Sequence, residues 1–173
     1  MSRIIFIVIA AVAVVIAATA GRYMMLGNGE SDQEQAIRAT IGGPFTLTDS
    51  TGKRVTDKDF QGKYMLIYFG YTFCPDVCPT SLSIMAEALD ALTPEQLAKV
   101  TPVFVTVDPE RDTPEVMAAY VPNFHPKLVG LTGTLEEVKA AARGYKAYYA
   151  KVNEADPDGN YTMDHSSITY LMG

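Results

Sequence analysis

The 173-residue chain is predicted to hold one α/β domain, a mostly parallel central sheet with helices on both faces, preceded by a single apolar N-terminal span. Three observations predict it. Short apolar and aromatic runs alternate with helical patterns of about ten residues, the signature of strand–helix–strand units. Two of these runs, Tyr64 to Gly70 and Pro102 to Val107, are continuously apolar or nearly so, as in strands covered on both faces. The stretch Cys74-Pro75-Asp76-Val77-Cys78-Pro79 falls where the first of them runs into a helix. In open α/β sheets, sites form beyond the carboxyl ends of strands.

The span comes first along the chain. Residues 4–21 read IIFIVIAAVAVVIAATAG without a charge. Eighteen residues at ~1.5 Å each cover roughly 27 Å, close to the ~30 Å of bilayer hydrocarbon. Arg3 and the amino terminus precede the run, which favours residues 1–3 in the cytoplasm and the domain outside. Arg22, on the other side, opposes that orientation. Ala18-Thr19-Ala20 resembles a signal-peptide cleavage site, but the apolar run is longer than a signal's usual core. An uncleaved transmembrane anchor over 4–21 is therefore the expectation. No Arg- and Ser-rich transit sequence precedes it, so a bacterial inner membrane with the domain in the periplasm is expected. Residues 22–42 are polar and mixed and read as a tether, which leaves 43–173 as the domain.

Within the domain, Phe45 to Leu47 and Lys53 to Val55 flank the turn residues Asp49 to Gly52, a small hairpin. After the cysteine stretch, Leu82, Met85, Ala86, Leu89 and Leu92 recur at helical spacing. Thr93-Pro94-Glu95-Gln96 caps a short helix, and Asp112-Thr113-Pro114-Glu115 opens another that ends before Pro122. Leu128 to Leu131 is a third strand, and Thr134-Leu135-Glu136-Glu137 is a capping box for a helix that stops near Gly144. Tyr145 to Val152 reads as extended, Asp156 to Asn160 as a turn, and Ser167 to Met172 as a last strand.

Net charge is −6, with 20% charged residues and no Lys/Arg cluster, which excludes the basic footprint of a nucleic-acid binder. Cys74 and Cys78 are the only cysteines, so a four-cysteine zinc or iron–sulfur site within one chain is excluded. Their spacing puts both sulfurs on one side of a helical turn. Pro79 is expected to break the helix there and leave Cys78 as the cap of the next one. The positive helix end would then favour thiolate, the form that binds a soft metal or attacks a disulfide. A third ligand has to be His, Met or carboxylate. The chain has two histidines. His165, just before the last strand, is the candidate, because in a parallel sheet its loop end lies beside that of another strand. Spacing alone leaves His165 divided between a ligand and a loop histidine bonded to backbone. His125 sits among turn residues and reads as structural, and Asp76 and Asp164 read as helix-end and turn residues. Two cysteines and one histidine make a three-coordinate set suited to Cu(I), and to Cu(II) with an added ligand.

Phe69 to Pro79 (FGYTFCPDVCP), Val107 to Pro114 (VDPERDTP), Gly130-Leu131-Thr132-Gly133 and Asp164-His165-Ser166-Ser167 together resemble the signature of the Sco/SenC copper-chaperone family, over about residues 42–173. The resemblance implies a thioredoxin-like, peroxiredoxin-related fold with copper held by Cys74, Cys78 and His165. It implies a part in assembling the binuclear copper site of a cytochrome c oxidase subunit, by delivering copper, by reducing that subunit's cysteines, or both. Other periplasmic copper carriers or thiol reductants are implied as further partners. The Asp108 region is implied to lie near the site without being a ligand. A complete domain of this kind continues with a further strand and helix. Their absence after Gly173 predicts an unpaired sheet edge and lowered stability.

A second function class is a thiol–disulfide oxidoreductase or redox sensor using Cys74 and Cys78. Thioredoxin-type enzymes carry C-x-x-C and a facing proline, whereas the spacing here is one residue longer and no proline lies near His165. A peroxidase lacks its motif, since Thr72 is two residues before Cys74 rather than three.

Overall fold

The computed structural model describes residues 2–27, 41–152 and 161–173 and, within the first helix, the side chains of some residues only. The turn expected over Asp156 to Asn160 and most of the tether lie outside the described residues. The chain divides into two units between residues 40 and 41. The first contains α1 (Ser2–Gly27), one uninterrupted helix with exposed apolar side chains such as Phe6, Val14 and Ile16. Among the described residues, no helix is long and apolar enough to cross a membrane. The span over 4–21 therefore stands on its sequence.

The second unit is built on a six-stranded sheet and a separate hairpin. Strands β1 (Thr46–Asp49), β2 (Arg54–Thr56), β3 (Tyr64–Gly70), β4 (Val100–Thr106), β5 (Val129–Thr132) and β8 (Thr169–Met172) form the sheet in the order β2-β1-β5-β4-β3-β8. Among the described residues, strands β6 (Tyr149–Val152) and β7 (Thr162–His165) pair only with each other. The expectation of a mostly parallel sheet needs correction. Only β3–β4 and β4–β5 are parallel, while β1–β2, β1–β5 and β3–β8 are antiparallel, so the sheet is mixed. The parallel part is the part joined by helices. The β1–β2 pair is joined by a tight turn, which permits antiparallel pairing.

Helix α2 (Val77–Asp90) follows β3 and buries Cys78, Leu82, Met85, Ala86 and Leu89, the predicted stripe extended one turn back to the cysteine. Leu92, expected in that stripe, lies just past the helix end and packs partly buried against the core. The expected caps of α3 (Pro94–Leu97), α4 (Pro114–Tyr120) and α5 (Leu135–Gly144) are present. Thr93, Thr113 and Thr134 each accept a hydrogen bond from the first turn. Residues 145–148 are not extended as expected. Tyr145 caps α5, and Lys146 takes a left-handed conformation with φ of 56°, which turns the chain out of the helix before β6 begins. The core between sheet and helices is anchored by Tyr68, Phe69, Phe104, Leu82, Leu89 and Leu131, all almost wholly buried.

Candidate metal centre

The first half of the site is the crossing from β3 into α2. The chain leaves the sheet at Gly70, and the Cys74 N–H closes a turn on the Tyr71 carbonyl at 3.3 Å. Asp76 is the N-cap, not Cys78 as expected, so α2 starts with Val77, Cys78 and Pro79. Pro79 does not break the helix. At its third position the missing N–H would have no intrahelical partner anyway. The Cys78 N–H, another unpaired donor of that first turn, points at the Cys74 sulfur at 3.4 Å. Helix geometry itself thus ties the two cysteines together.

Gly70 makes room for the second sulfur. A Cβ on it would stand 2.7 Å from Cys78 Sγ, 2.9 Å from the Phe104 ring and 3.0 Å from the Tyr68 ring. Two of these three neighbours are ring atoms in a packed core, which do not yield. Gly70→Ala is expected to lower stability by ~1–3 kcal/mol, as overpacking does. A urea midpoint equal to the unsubstituted chain's would refute that close approach.

The second half is the hairpin. His165 ends β7, opposite Tyr149 of β6. Its Nε2 is 3.2 Å from Cys78 Sγ and its Nδ1 is 3.2 Å from the Ser166 carbonyl. A carbonyl only accepts, so Nδ1 carries the proton and donates to Ser166, and Nε2 presents its lone pair to the sulfur. The rings of Tyr68 and Tyr71 stand edge-on to the imidazole at 6.2 and 5.8 Å. His165 does not reach the site from a parallel strand, as expected. β8 runs antiparallel to β3 with Thr169 opposite Tyr68, so the start of β8 meets the end of β3, and the hairpin before it lands over the cysteines. The ligand atoms of Cys74, Cys78 and His165 all lie within 4.8 Å of one another, forming a group able to hold a metal ion.

Both cysteines are free thiols, with Cys78 fully buried and Cys74 nearly so. Burial pushes the Cys78 thiol up to about 12, and the neighbouring Cys74 sulfur adds to the shift. The expected helix-end stabilisation of thiolate at Cys78 is outweighed by desolvation. The folded chain holds this proton more tightly than an unfolded chain does. Stability therefore falls as pH rises from the ordinary thiol value of 9.0 through about 12. The Cys78 sulfur faces Nε2, and a metal ion bound by the two would displace the thiol proton.

Asp112, read from sequence only as part of a helix start, proves central to the site's frame. It is fully buried and accepts from the Thr72 N–H at 3.0 Å, the Thr72 hydroxyl at 2.5 Å and the Thr106 hydroxyl at 2.6 Å. Its backbone carbonyl accepts from the Thr132 hydroxyl at 2.7 Å. Burial raises its carboxyl above the ordinary value, against the pull of the threonine hydrogen bonds. One side chain thus ties the cysteine loop to the end of β4. Its signal in the sequence was an acid spaced four from Asp108 at a strand's carboxyl end. Asp108 is also buried, but it pairs with Arg111 and accepts from the Tyr161 hydroxyl rather than facing the sulfurs. His125 stays outside the group: its Nδ1 accepts from the Lys127 N–H at 3.1 Å, and its Nε2 lies 3.6 Å from Asp90.

A thioredoxin-like domain with a mixed sheet, helices on both faces and a thiol–thiol–imidazole group at the carboxyl end of its first parallel strand is the class that fold and site define. The family model described as SCO1/SenC matches residues 33–173. The chain is 51% identical over 137 residues to the mitochondrial SCO1 homolog 1 of Arabidopsis thaliana, covering 79% of this chain and 40% of that one. It is 49% identical over 146 residues to the mitochondrial SCO1 homolog of Homo sapiens, covering 83% and 48%. It thus spans less than half the length of either relative. The solved structure of Bradyrhizobium japonicum ScoI with copper bound superimposes with a TM-score of 0.71 at 52% identity, covering 76% of this chain and 82% of that one. The chain belongs to the SCO1/SenC family.

Proposed function

We propose that this protein is a copper-binding chaperone of the Sco type, which holds one copper ion through Cys74, Cys78 and His165. It delivers its cargo to the cytochrome c oxidase subunit that carries the binuclear copper site, reduces that subunit's cysteines, or does both. The observation that carries the reading is the convergence of two sulfurs and one lone-pair nitrogen within 4.8 Å. Soft sulfur with imidazole suits Cu(I). Copper bound to the Bradyrhizobium japonicum relative supports copper as the metal, and Cu(II) is held by the same set with an added ligand. The Ser166 carbonyl fixes the imidazole tautomer needed for ligation, the usual role of a partner behind a metal-bound histidine.

Anaerobic Cu(I) titration against a competing chelator tests this. One equivalent is expected to bind. His165→Ala is expected to weaken binding by at least the ~10–100-fold that losing a mere supporting partner of a ligand costs. Binding unchanged in His165→Ala would overturn the assignment. The Cys78 proton adds a second expectation. Because Cu(I) displaces it, apparent affinity rises about tenfold per pH unit between about pH 6 and 9 from this group alone. A flat profile in the same titration would contradict it.

The same reading anchors the chain in a bacterial inner membrane through 4–21, with 1–3 in the cytoplasm, 22–42 as tether and 43–173 in the periplasm. The uncharged run and the preceding Arg3 support it. The chain is expected to stay in the membrane pellet after alkaline carbonate washing, and release into the supernatant would count against the anchor. A second reading, thiol–disulfide exchange, rests on the two sulfurs within 4.8 Å of each other. Oxidation to a disulfide would release two protons and two electrons. Rapid insulin reduction together with His165-independent copper binding would favour it.

A further inference from the structure

Among the described residues, the hairpin that carries His165 does not pair with a strand of the main sheet. Something else must set where its imidazole stands. Tyr71 contributes through a hydrogen bond between its hydroxyl and the Met163 backbone, and the loop after β4 contributes at both strands of the hairpin. The Asp108 carboxylate accepts from the Tyr161 hydroxyl at 2.6 Å, and Tyr161 leads directly into β7. Glu110 pairs with Lys151 of β6. Arg111 joins the two halves of the site. Its Nη1 donates to the Tyr161 carbonyl at 3.0 Å, and its Nε pairs with Asp108. The guanidinium carbon lies 3.7 Å from the Tyr161 ring centroid on the hairpin side. On the cysteine side it lies 4.7 Å from the Phe73 ring and 5.7 Å from the Tyr71 ring. Phe73 is the residue before Cys74, and Tyr71 packs edge-on to His165. A planar cation that donates in a fixed fork and stacks on rings suits this place, and lysine does not reproduce it.

We infer that Arg111 is a positioning residue for the metal site, which holds the His165 hairpin against the cysteine loop through Tyr161 and Phe73 and so sets the imidazole-to-sulfur distance. The inference rests on the copper-site reading above. It explains why a charged side chain stands among aromatic rings beside a site whose third ligand comes from a hairpin outside the six-stranded sheet.

The test combines two substitutions in the full chain, Arg111→Lys and His165→Ala, singly and together. In the metal-free chain, the ring protons of His165 lie within the ring-current fields of Tyr68 and Tyr71. Arg111→Lys is expected to move their NMR shifts toward those of a free histidine. Anaerobic titration is expected to show Cu(I) affinity lowered about tenfold by Arg111→Lys, the low end of what supporting residues of metal ligands contribute. In the His165→Ala background the same substitution is expected to change affinity less than about twofold, because its effect runs through His165. Unchanged His165 shifts and affinity in Arg111→Lys, or an equal loss in both backgrounds, would overturn the inference. Should Arg111→Lys fail to fold, Tyr161→Phe removes only the hydroxyl on Asp108. It must then show the same His165-dependent loss at smaller amplitude, and its absence overturns the inference. If His165→Ala alone leaves affinity intact, the copper-site reading fails instead.

Discussion

Cys78→Ser is expected to lower Cu(I) affinity by about a thousandfold or more while leaving the metal-free fold close to unchanged. Metal–thiolate sites bind with ~10–16 kcal/mol shared over a few ligands, so one sulfur is worth several kcal/mol. A serine oxygen is a hard donor and does not replace it for Cu(I). The fold tolerates the exchange because the position asks for a small group that donates toward His165 Nε2, now 3.2 Å from the sulfur. A hydroxyl fills that place and keeps the buried acceptor satisfied. Equal affinities for the serine variant and the unsubstituted chain in the chelator titration would show that copper does not sit on this sulfur.

Asp112→Ala is expected to be strongly destabilising. It strips the partner from three hydrogen-bond donors at once, the Thr72 N–H and the hydroxyls of Thr72 and Thr106. Hydrogen bonds to a charged group are worth ~1.5–3 kcal/mol each, but bonds sharing one acceptor are not additive and the part-buried Thr72 donors can turn to water, so a cost of about 3–5 kcal/mol is expected. The effect spreads to the site because Thr72 lies two residues before Cys74 on the same turn. A urea or thermal melt measures the cost. A change below about 1 kcal/mol would mean that the cysteine loop is held by other contacts.

The parts legible in sequence were those written in neighbouring residues. The β1–β2 hairpin, the helix starts at Thr93, Thr113 and Thr134, and the apolar face of α2 each depend on spacings within a dozen residues. Strand direction was not legible, since an apolar run pairs equally well either way, and the antiparallel β8 is what brings His165 to the site. Pro79 misled for a related reason. A proline reads as a helix breaker until the cap is known, and Asp76 as cap puts it harmlessly in the first turn. The three site residues were assembled by family resemblance, because spacing alone left His165 open. Asp112 and Arg111 escaped notice because their partners are distant along the chain. Thr72 lies 40 residues from Asp112, and Tyr161 lies 50 from Arg111. A buried acid or a caged guanidinium is visible only once those segments meet. Thiolate at Cys78 was expected from the helix end, and the reversal came from burial, which composition does not report.

X-ray absorption at the copper edge of the Cu(I)-loaded chain is the most direct measurement. Two sulfur scatterers and one imidazole per copper are expected, with the imidazole signal lost in His165→Ala and one sulfur lost in Cys78→Ser. A copper shell made of sulfur alone, or one that is unaltered in His165→Ala, would contradict the assignment of Cys74, Cys78 and His165 as a single copper site.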